Sequence, residues 1–407
     1  MRTDYDVIVI GGGPSGSTLA NLVAREGVRT LVLERETFPR FKVGESLLPC
    51  DIPVMERLGV ELAMGGRHMR KLGADFYEES SGRFAVYPFA DALPGTLDHA
   101  WQVDRASFDL TLVEAAASRG AEVHQAELVS EVDFGEEGVE VRTNRASYRA
   151  RYLVDASGQA SVLAYRHGTR RRIDEFGLGA VFTHFEGLRP AVVDELAETG
   201  NVRILFVEDG WMWAIPLGQG RLGVGYVTRK KGVSPEWLPE AIAASPLLSR
   251  YLEGAVRPGP IHRIASFSFY NERTHGPRWT CVGDAACFLD PVFSSGVSFG
   301  MLCASHTADV LLPALAEGRE AERGLMDGHA ARMAHGYSVF ATLIRSLYQR
   351  RLLPDLFFTI EQDPALRQGL TSVLAGDLWR DDNPFQRVLW ASKRRRFELT
   401  PSVAATL

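Results

Sequence analysis

The sequence predicts an α/β protein: a Rossmann-type domain around a parallel sheet, an inserted mixed or antiparallel sheet facing a substrate, and a helical C-terminal region. Three observations carry this. A β-branched run, a glycine-rich turn and a helical segment follow one another over residues 6–27. Short β-rich runs separated by glycines fill residues 177–228, and a helical pattern takes over after residue 283.

Residues 6–10, Asp-Val-Ile-Val-Ile, read as a fully buried strand because they are apolar without alternation and stop at Gly11. Residues 17–26 have helical composition ending at Gly27, and residues 29–34 make a second strand. Two strands joined by one helix form a right-handed βαβ unit, covered on both faces. A helix is expected at 106–118, strands at 121–125 and 139–143, and a buried strand at 152–155. Gly218-Gln-Gly220-Arg-Leu-Gly223 mimics a phosphate-binding string, but it lies between two strand-like runs and opens no helix, so it reads as a hairpin turn. Helix breaks are expected at Pro313, Pro354 and Pro364, and residues 340–360 read as a helical wall over a substrate cavity. The expected division is a cofactor-binding domain from 1–78, 101–172 and 266–335, a substrate-facing sheet from 79–100 and 173–265, and a helical region at 336–407.

A chain of 407 residues exceeds the size of one compact core, so several packed units are expected. The net charge of −6 gives no field for steering toward nucleic acid. Cys50, Cys281, Cys287 and Cys303 form no CxxC pair, and neither His329 nor His335 has ligand neighbours at metal spacing, so no disulfide framework and no metal site are expected. The first apolar run is too short for a signal sequence, and no stretch reads as about 18 consecutive apolar residues; a cytoplasmic protein with no membrane span is expected.

Gly11-Gly-Gly13-Pro14-Ser15-Gly16 fits GxGxxG between a strand and a helix, the arrangement that brings backbone N–H groups against a pyrophosphate. Glu34 ends the second strand, where an acid accepts the adenosine ribose hydroxyls. NAD would fit this cradle equally. The choice comes from Gly283-Asp284-Ala-Ala286, a second glycine–acid turn that ends a strand, opens a helix and supplies what a longer cofactor needs. It resembles the turn of the p-hydroxybenzoate-hydroxylase-like flavoproteins whose aspartate binds the flavin ribityl chain, which implies FAD. Arg105 resembles that family's arginine reaching the FAD from the far side; by itself it reads as a surface partner of Asp104 and Asp109.

Three further motifs, Phe38-Pro-Arg40-Phe-Lys42-Val-Gly44-Glu45-Ser46-Leu-Leu-Pro49, Trp211-Met-Trp213-Ala-Ile215-Pro216 and Asp290-Pro291-Val-Phe293-Ser294-Ser295-Gly296, resemble together the FADH2-dependent halogenases over most of residues 5–305. Two tryptophans at alternate positions of a strand share one face and can wall a space beside the flavin. The resemblance implies a cofactor site of Gly11, Gly13, Pro14, Ser15, Gly16, Glu34, Arg35, Arg40, Ser46, Arg105, Gly283, Asp284, Pro291, Gly296 and Val297. It implies halide binding at Ser295 and Gly296, a wall of Trp211, Trp213, Ile215, Pro216 and Phe293, and no metal.

In that family the reduced flavin captures O2 as a C4a-hydroperoxide, chloride or bromide attacks it, and a lysine then guides the hypohalous acid as donor or chloramine. Lys71 is the candidate, with Lys42 the rival. Tryptophan halogenases carry a glutamate where this chain has Phe293, so the resemblance points instead to a phenol or pyrrole, free or tethered to an acyl or peptidyl carrier protein. It also implies a separate flavin reductase supplying FADH2. The basic run 393–396 reads as a solvated helix end, with docking of an acidic carrier protein as the other reading. An NAD(P)H-dependent aromatic monooxygenase, a prenyl reductase, or a flavoprotein serving only as a binding partner would share the same scaffold.

Overall fold

The computed structural model describes residues 3–348, 357–360, 363–391 and 397. Its first sheet has five parallel strands in the order Trp279–Cys281, Ser147–Asp155, Tyr5–Ile10, Thr30–Leu33 and Glu122–His124. The central strands carry Val7, Ile8, Val9, Leu31, Val32, Leu153 and Val154, all fully buried, as a sheet covered on both faces requires. Helix Pro14–Ala24 packs across it against helices Arg105–Ser118 and Ser295–Glu317.

The second sheet has seven strands in the order His262–Ala265, Gly179–Phe185, Arg221–Thr228, Gly210–Gly218, Val202–Val207, Gly73–Glu78 and Arg83–Pro88. All neighbours are antiparallel except Val202–Val207 beside Gly73–Glu78. Gly73–Glu78, assigned from sequence to the cofactor-binding unit, therefore belongs to this sheet. The sequence shows where a strand is but not which long-range partner it takes. The predicted hairpin is present, with Gln219 and Gly220 at φ 52° and 68°, the left-handed pair of a tight turn.

Glycines hollow this sheet on one face. A Cβ at Gly225 would fall onto the Trp213 indole, and one at Gly223 would lie 2.8 Å from Glu45 Oε2. We expect Gly225→Val to destabilise the protein by about 1–3 kcal/mol through overpacking and to shift indole fluorescence. Denaturant titration followed by tryptophan emission checks this; an unchanged midpoint and spectrum would contradict it.

One helical expectation changes. Pro313 lies inside helix Ser295–Glu317 rather than ending it; the ring deletes one backbone bond near the last turn, which the buried packing of the helix absorbs. That same helix is long and apolar enough, by length and average composition, to cross a bilayer, although it contains no run of about 18 consecutive apolar residues. Its Gly, Ser, His and Thr residues mask the signal in the sequence, and most of it is packed inside the protein. Helix Asp327–Tyr348 covers part of the expected wall. The remainder at 349–356, including Pro354, and the basic run 393–396 lie outside the described residues.

Candidate active site

The glycine turn works through contacts a side chain would abolish. Gly11 has φ +100° and lies against the Ala156 carbonyl, and a Cβ on Gly16 would overlap the Gly11 carbonyl. Gly16 therefore packs the turn together and does not line the cavity, whereas Gly11, Gly13, Pro14 and Ser15 do. Helix Pro14–Ala24 starts at Gly13 without a side-chain cap, so its first N–H groups remain available to an anion. Gly283, at φ +60°, also stands behind the wall: a Cβ there would strike Ser15 Oγ. The two glycine turns, remote in sequence, meet at that serine.

Glu34 is 5% exposed and accepts from the N–H groups of Gly12 and Glu36, both at 2.9 Å. Arg40 and Arg105 converge on Asp109. Arg40 Nη1 lies 2.7 Å from Asp109 Oδ2, and Arg105 grips both carboxylate oxygens at 2.7 and 2.9 Å while donating to the Val43 carbonyl at 2.6 Å. Arg105 is thus a buried cation holding the 43–44 turn, and not the surface partner its bare sequence context suggests. Glu34, Arg35, Arg40, Ser46, Arg105, Asp284, Pro291, Gly296 and Val297 all line the cavity. Ser46 Oγ is buried there without a hydrogen-bond partner, and burial raises the Asp284 carboxyl to about 7 against the opposing pull of Arg105. A cavity with helix N-termini, an orphaned hydroxyl and a buried acid fits a flavin dinucleotide.

Beyond this cradle the same cavity becomes apolar, lined by Ala180, Phe182, Ile204, Trp211, Trp213, Ile215, Ile264 and Phe267. Strand alternation puts Trp211, Trp213 and Ile215 on one face. Trp211 Nε1 donates to Tyr348 Oη at 3.1 Å, and Tyr348 donates to Asp290 Oδ2 at 2.8 Å, which fixes the indole against the turn at 290–296.

The structure moves three predicted wall or halide residues. Pro216 is outside the lining. Phe293 turns into an aromatic cluster, its ring centroid 5.8 Å from Phe340 and 6.3 Å from Phe357. Ser294 lines the cavity where Ser295 was expected, because the left-handed conformation at Ser294, φ 57°, turns it outward and folds Ser295 into the first helical turn. No side-chain cap satisfies that helix start.

Lys71 is off the cavity wall too. It ends strand Met69–Lys71, is 1% exposed, and donates from Nζ to the Leu47 carbonyl at 2.8 Å, with the Phe89 ring centroid 5.3 Å away. Burial lowers its ammonium to about 7, against the raising charges of Asp51 and Cys50. The amine stands one residue behind the wall, since Ser46 lines the cavity and the next carbonyl holds Nζ. Its rival Lys42 lines the cavity but pairs with Glu36 at 2.8 Å in a half-exposed position.

Sequence reasoning missed two groups. Ser157, Gly158, Gln159 and Ala160 line the cavity after strand Ser147–Asp155; the Asp155-Ala-Ser-Gly158 turn at the end of a buried strand was their signal. Glu45 lines it as well, 3% exposed, with one oxygen 2.6 Å from His184 Nε2. Nothing in the chain order announces that pair.

The FAD binding domain family matches residues 4–340. The chain is 30% identical to a 1H-pyrrole-2-carbonyl-(peptidyl-carrier protein) chlorinase of Pseudomonas fluorescens, covering 92% of this chain and 90% of that protein. It is 31% identical to the corresponding brominase of Pseudoalteromonas luteoviolacea, covering 91% and 92%. Among solved structures, the flavin-dependent brominase Bmp2 superposes with a TM-score of 0.84 at 28% identity, covering 96% of this chain and 100% of that one. With the cradle, the tryptophan wall and this likeness over nearly its whole length, the chain belongs to the flavin-dependent halogenases.

Proposed function

We propose that this enzyme halogenates an electron-rich pyrrole or phenol, presented on a carrier protein, using FADH2 from a separate reductase, O2, and chloride or bromide. The observation that carries this reading is the continuity of one cavity from the phosphate cradle to a tryptophan-walled chamber, with a buried amine one residue behind its wall. When bound, the reduced flavin would activate O2, and O2 would be the oxidant that takes two electrons from the halide to give hypohalous acid. The N–H groups of Gly13 and Ser15 and the Glu34 carboxylate would hold the adenosine diphosphate half, Arg105 would keep the 43–44 turn in place, and Asp284 would accept from the ribityl hydroxyls. The uncapped helix start at Ser295 and Gly296 offers N–H donors to the halide. Trp211, Trp213 and Ile215 exclude water, so the oxidant is retained until it passes Ser46 toward Lys71, which orients it at the ring. The phenylalanine at 293 leaves no carboxylate at that point to take the ring proton, which suits a substrate activated by its own nitrogen or hydroxyl. The two carrier-protein halogenases similar to this chain act on a pyrrole, and that supports the same substrate class here.

A reaction with flavin reductase, FAD, NADH and bromide, offered pyrrole-2-carbonyl carrier protein beside a panel of free pyrroles and phenols, tests the proposal. Mass spectra with the bromine isotope doublet on the carrier-bound pyrrole are expected. Hydroxylated product, or bleaching of the flavin by NADPH without a reductase, would replace it with a monooxygenase reading.

Flavin binding should also depend on pH. A hydroxyl donates best to ionised Asp284, whose carboxyl is raised to about 7, so below that pH binding must first expel a proton. The apparent Kd for FAD is expected to rise by about tenfold for each pH unit below 7. Fluorescence titration between pH 5.5 and 8 reads this, and Asp284→Asn should flatten the profile; an equally steep profile in that variant would exclude Asp284.

A further inference from the structure

Four hydrogen bonds connect the buried amine to the helix whose start faces the cavity. Lys71 Nζ donates to the Leu47 carbonyl at 2.8 Å. The N–H of the same peptide group, on Leu48, donates at 3.2 Å to both Asp51 Oδ2 and Ser298 Oγ. Ser298 Oγ in turn donates to Asp51 Oδ2 at 2.5 Å. A trans peptide carries its C=O and N–H on opposite edges, so the amine and the carboxylate stand at the two ends of one polarised unit. Ser298 belongs to the first turn of Ser295–Glu317, two residues after Gly296.

Asp51 has a structural use as the cap of the short helical turn at Pro49–Asp51, and its Oδ2 serves that purpose. The use leaves its other oxygen unexplained. Asp51 is fully buried, and Oδ1 has no hydrogen-bond partner. An isosteric asparagine would bury no charge, so retaining a carboxyl with a bare oxygen is costly unless a cation profits from it. The charged or titratable groups acting on Lys71 are Asp51 and the half-buried Cys50 thiol, with Asp377 acting in turn on Cys50. Burial raises that thiol well above its ordinary range, which keeps it neutral and makes Asp51 the source of negative charge at the amine.

We propose that Asp51, anchored by Ser298, is a positioning residue that holds the Lys71 amine in place and sets its protonation state, coupling it to the helix that begins at the halide-binding turn. Burial alone drives the amine toward its neutral form; the Asp51 carboxylate restores the ammonium, a hydrogen-bond donor, at neutral pH. The functional side of this proposal rests on the catalytic reading of Lys71 given above.

The test uses the full FAD-loaded chain with lysine labelled by 13C at Cε, the Lys71 resonance being assigned by its loss in Lys71→Met. We expect Lys71 to titrate near neutrality in the wild type and its midpoint to fall by about one pH unit in Asp51→Asn. Ser298→Ala removes the hydroxyl that favours ionised Asp51, so it should move the midpoint in the same direction by less, and it stands in should Asp51→Asn fail to fold. Midpoints equal to the wild type in the folded variants would overturn the coupling. Halogenation surviving in Lys71→Met would instead remove the catalytic reading, while the NMR midpoints still decide whether Asp51 governs the amine.

Discussion

Lys71→Met is expected to abolish halogenation, by about 10²–10⁴-fold, the span associated with losing a positioned donor, while FAD binding and oxygen consumption persist. Lys71 is off the cavity wall and touches none of the groups that form the cradle, so its loss should leave flavin binding undisturbed. Hydrogen peroxide or free hypohalite should accumulate in place of product, which a peroxide assay and a halide-dependent dye assay measure. Product at wild-type yield would remove Lys71 from the mechanism. Stability sharpens the prediction. In the fold the amine is lowered to about 7, below the value near 10.4 of an unfolded lysine, so between those values the unfolded chain binds more protons. The Lys71 contribution is therefore unfavourable at neutral pH and fades as pH rises toward 10. Methionine keeps the volume without the charge, so the variant should melt no lower than the wild type at pH 7, and its advantage should shrink at alkaline pH. A variant that loses both activity and fold would contradict this reading.

Gly13→Val is expected to lose FAD, with the dissociation constant raised at least about 100-fold, in a protein that still folds. The reason lies in what surrounds each glycine. A Cβ at Gly13 meets only Arg40 Nη2 at 3.7 Å, and its backbone, at φ −71°, accepts any side chain. The added methyls enter the cavity where the pyrophosphate belongs, so the fold pays about 1 kcal/mol at the helix start and binding fails. Gly16→Val differs, because its Cβ would overlap the Gly11 carbonyl within the turn itself. That variant should express poorly or melt early. Isothermal titration and thermal denaturation of the two proteins separate these outcomes; unfolded Gly13→Val would place that glycine among the packing residues.

The legible part of this protein is the part written in contiguous sequence. Strand, glycine turn, helix and acid over residues 5–34 fold as read because each contact in the cradle is made within one βαβ unit. The tryptophan strand was equally readable, since alternation alone fixes a shared face. That the Ser294 side chain and not that of Ser295 lines the cavity has a local reason, the left-handed twist at Ser294, which no composition announces in a non-glycine residue. Phe293 failed for a global one, as its ring follows partners at 340 and 357.

The chain order by itself determined the strand, glycine turn and helix of the phosphate cradle, because glycine spacing and strand periodicity are short-range properties of the backbone, while FAD, the family and Lys71 were reached through the resemblance of its motifs to the halogenases. Only the tertiary structure decided that Gly16 and Gly283 pack behind the wall, that Arg105 is clamped on Asp109 within the interior, and that Asp51 and Ser298 stand at the far end of the peptide holding Lys71. Those placements depend on which surfaces the folding chain buries together, and burial sets both the hydrogen-bond partners and the charge state of each group it encloses.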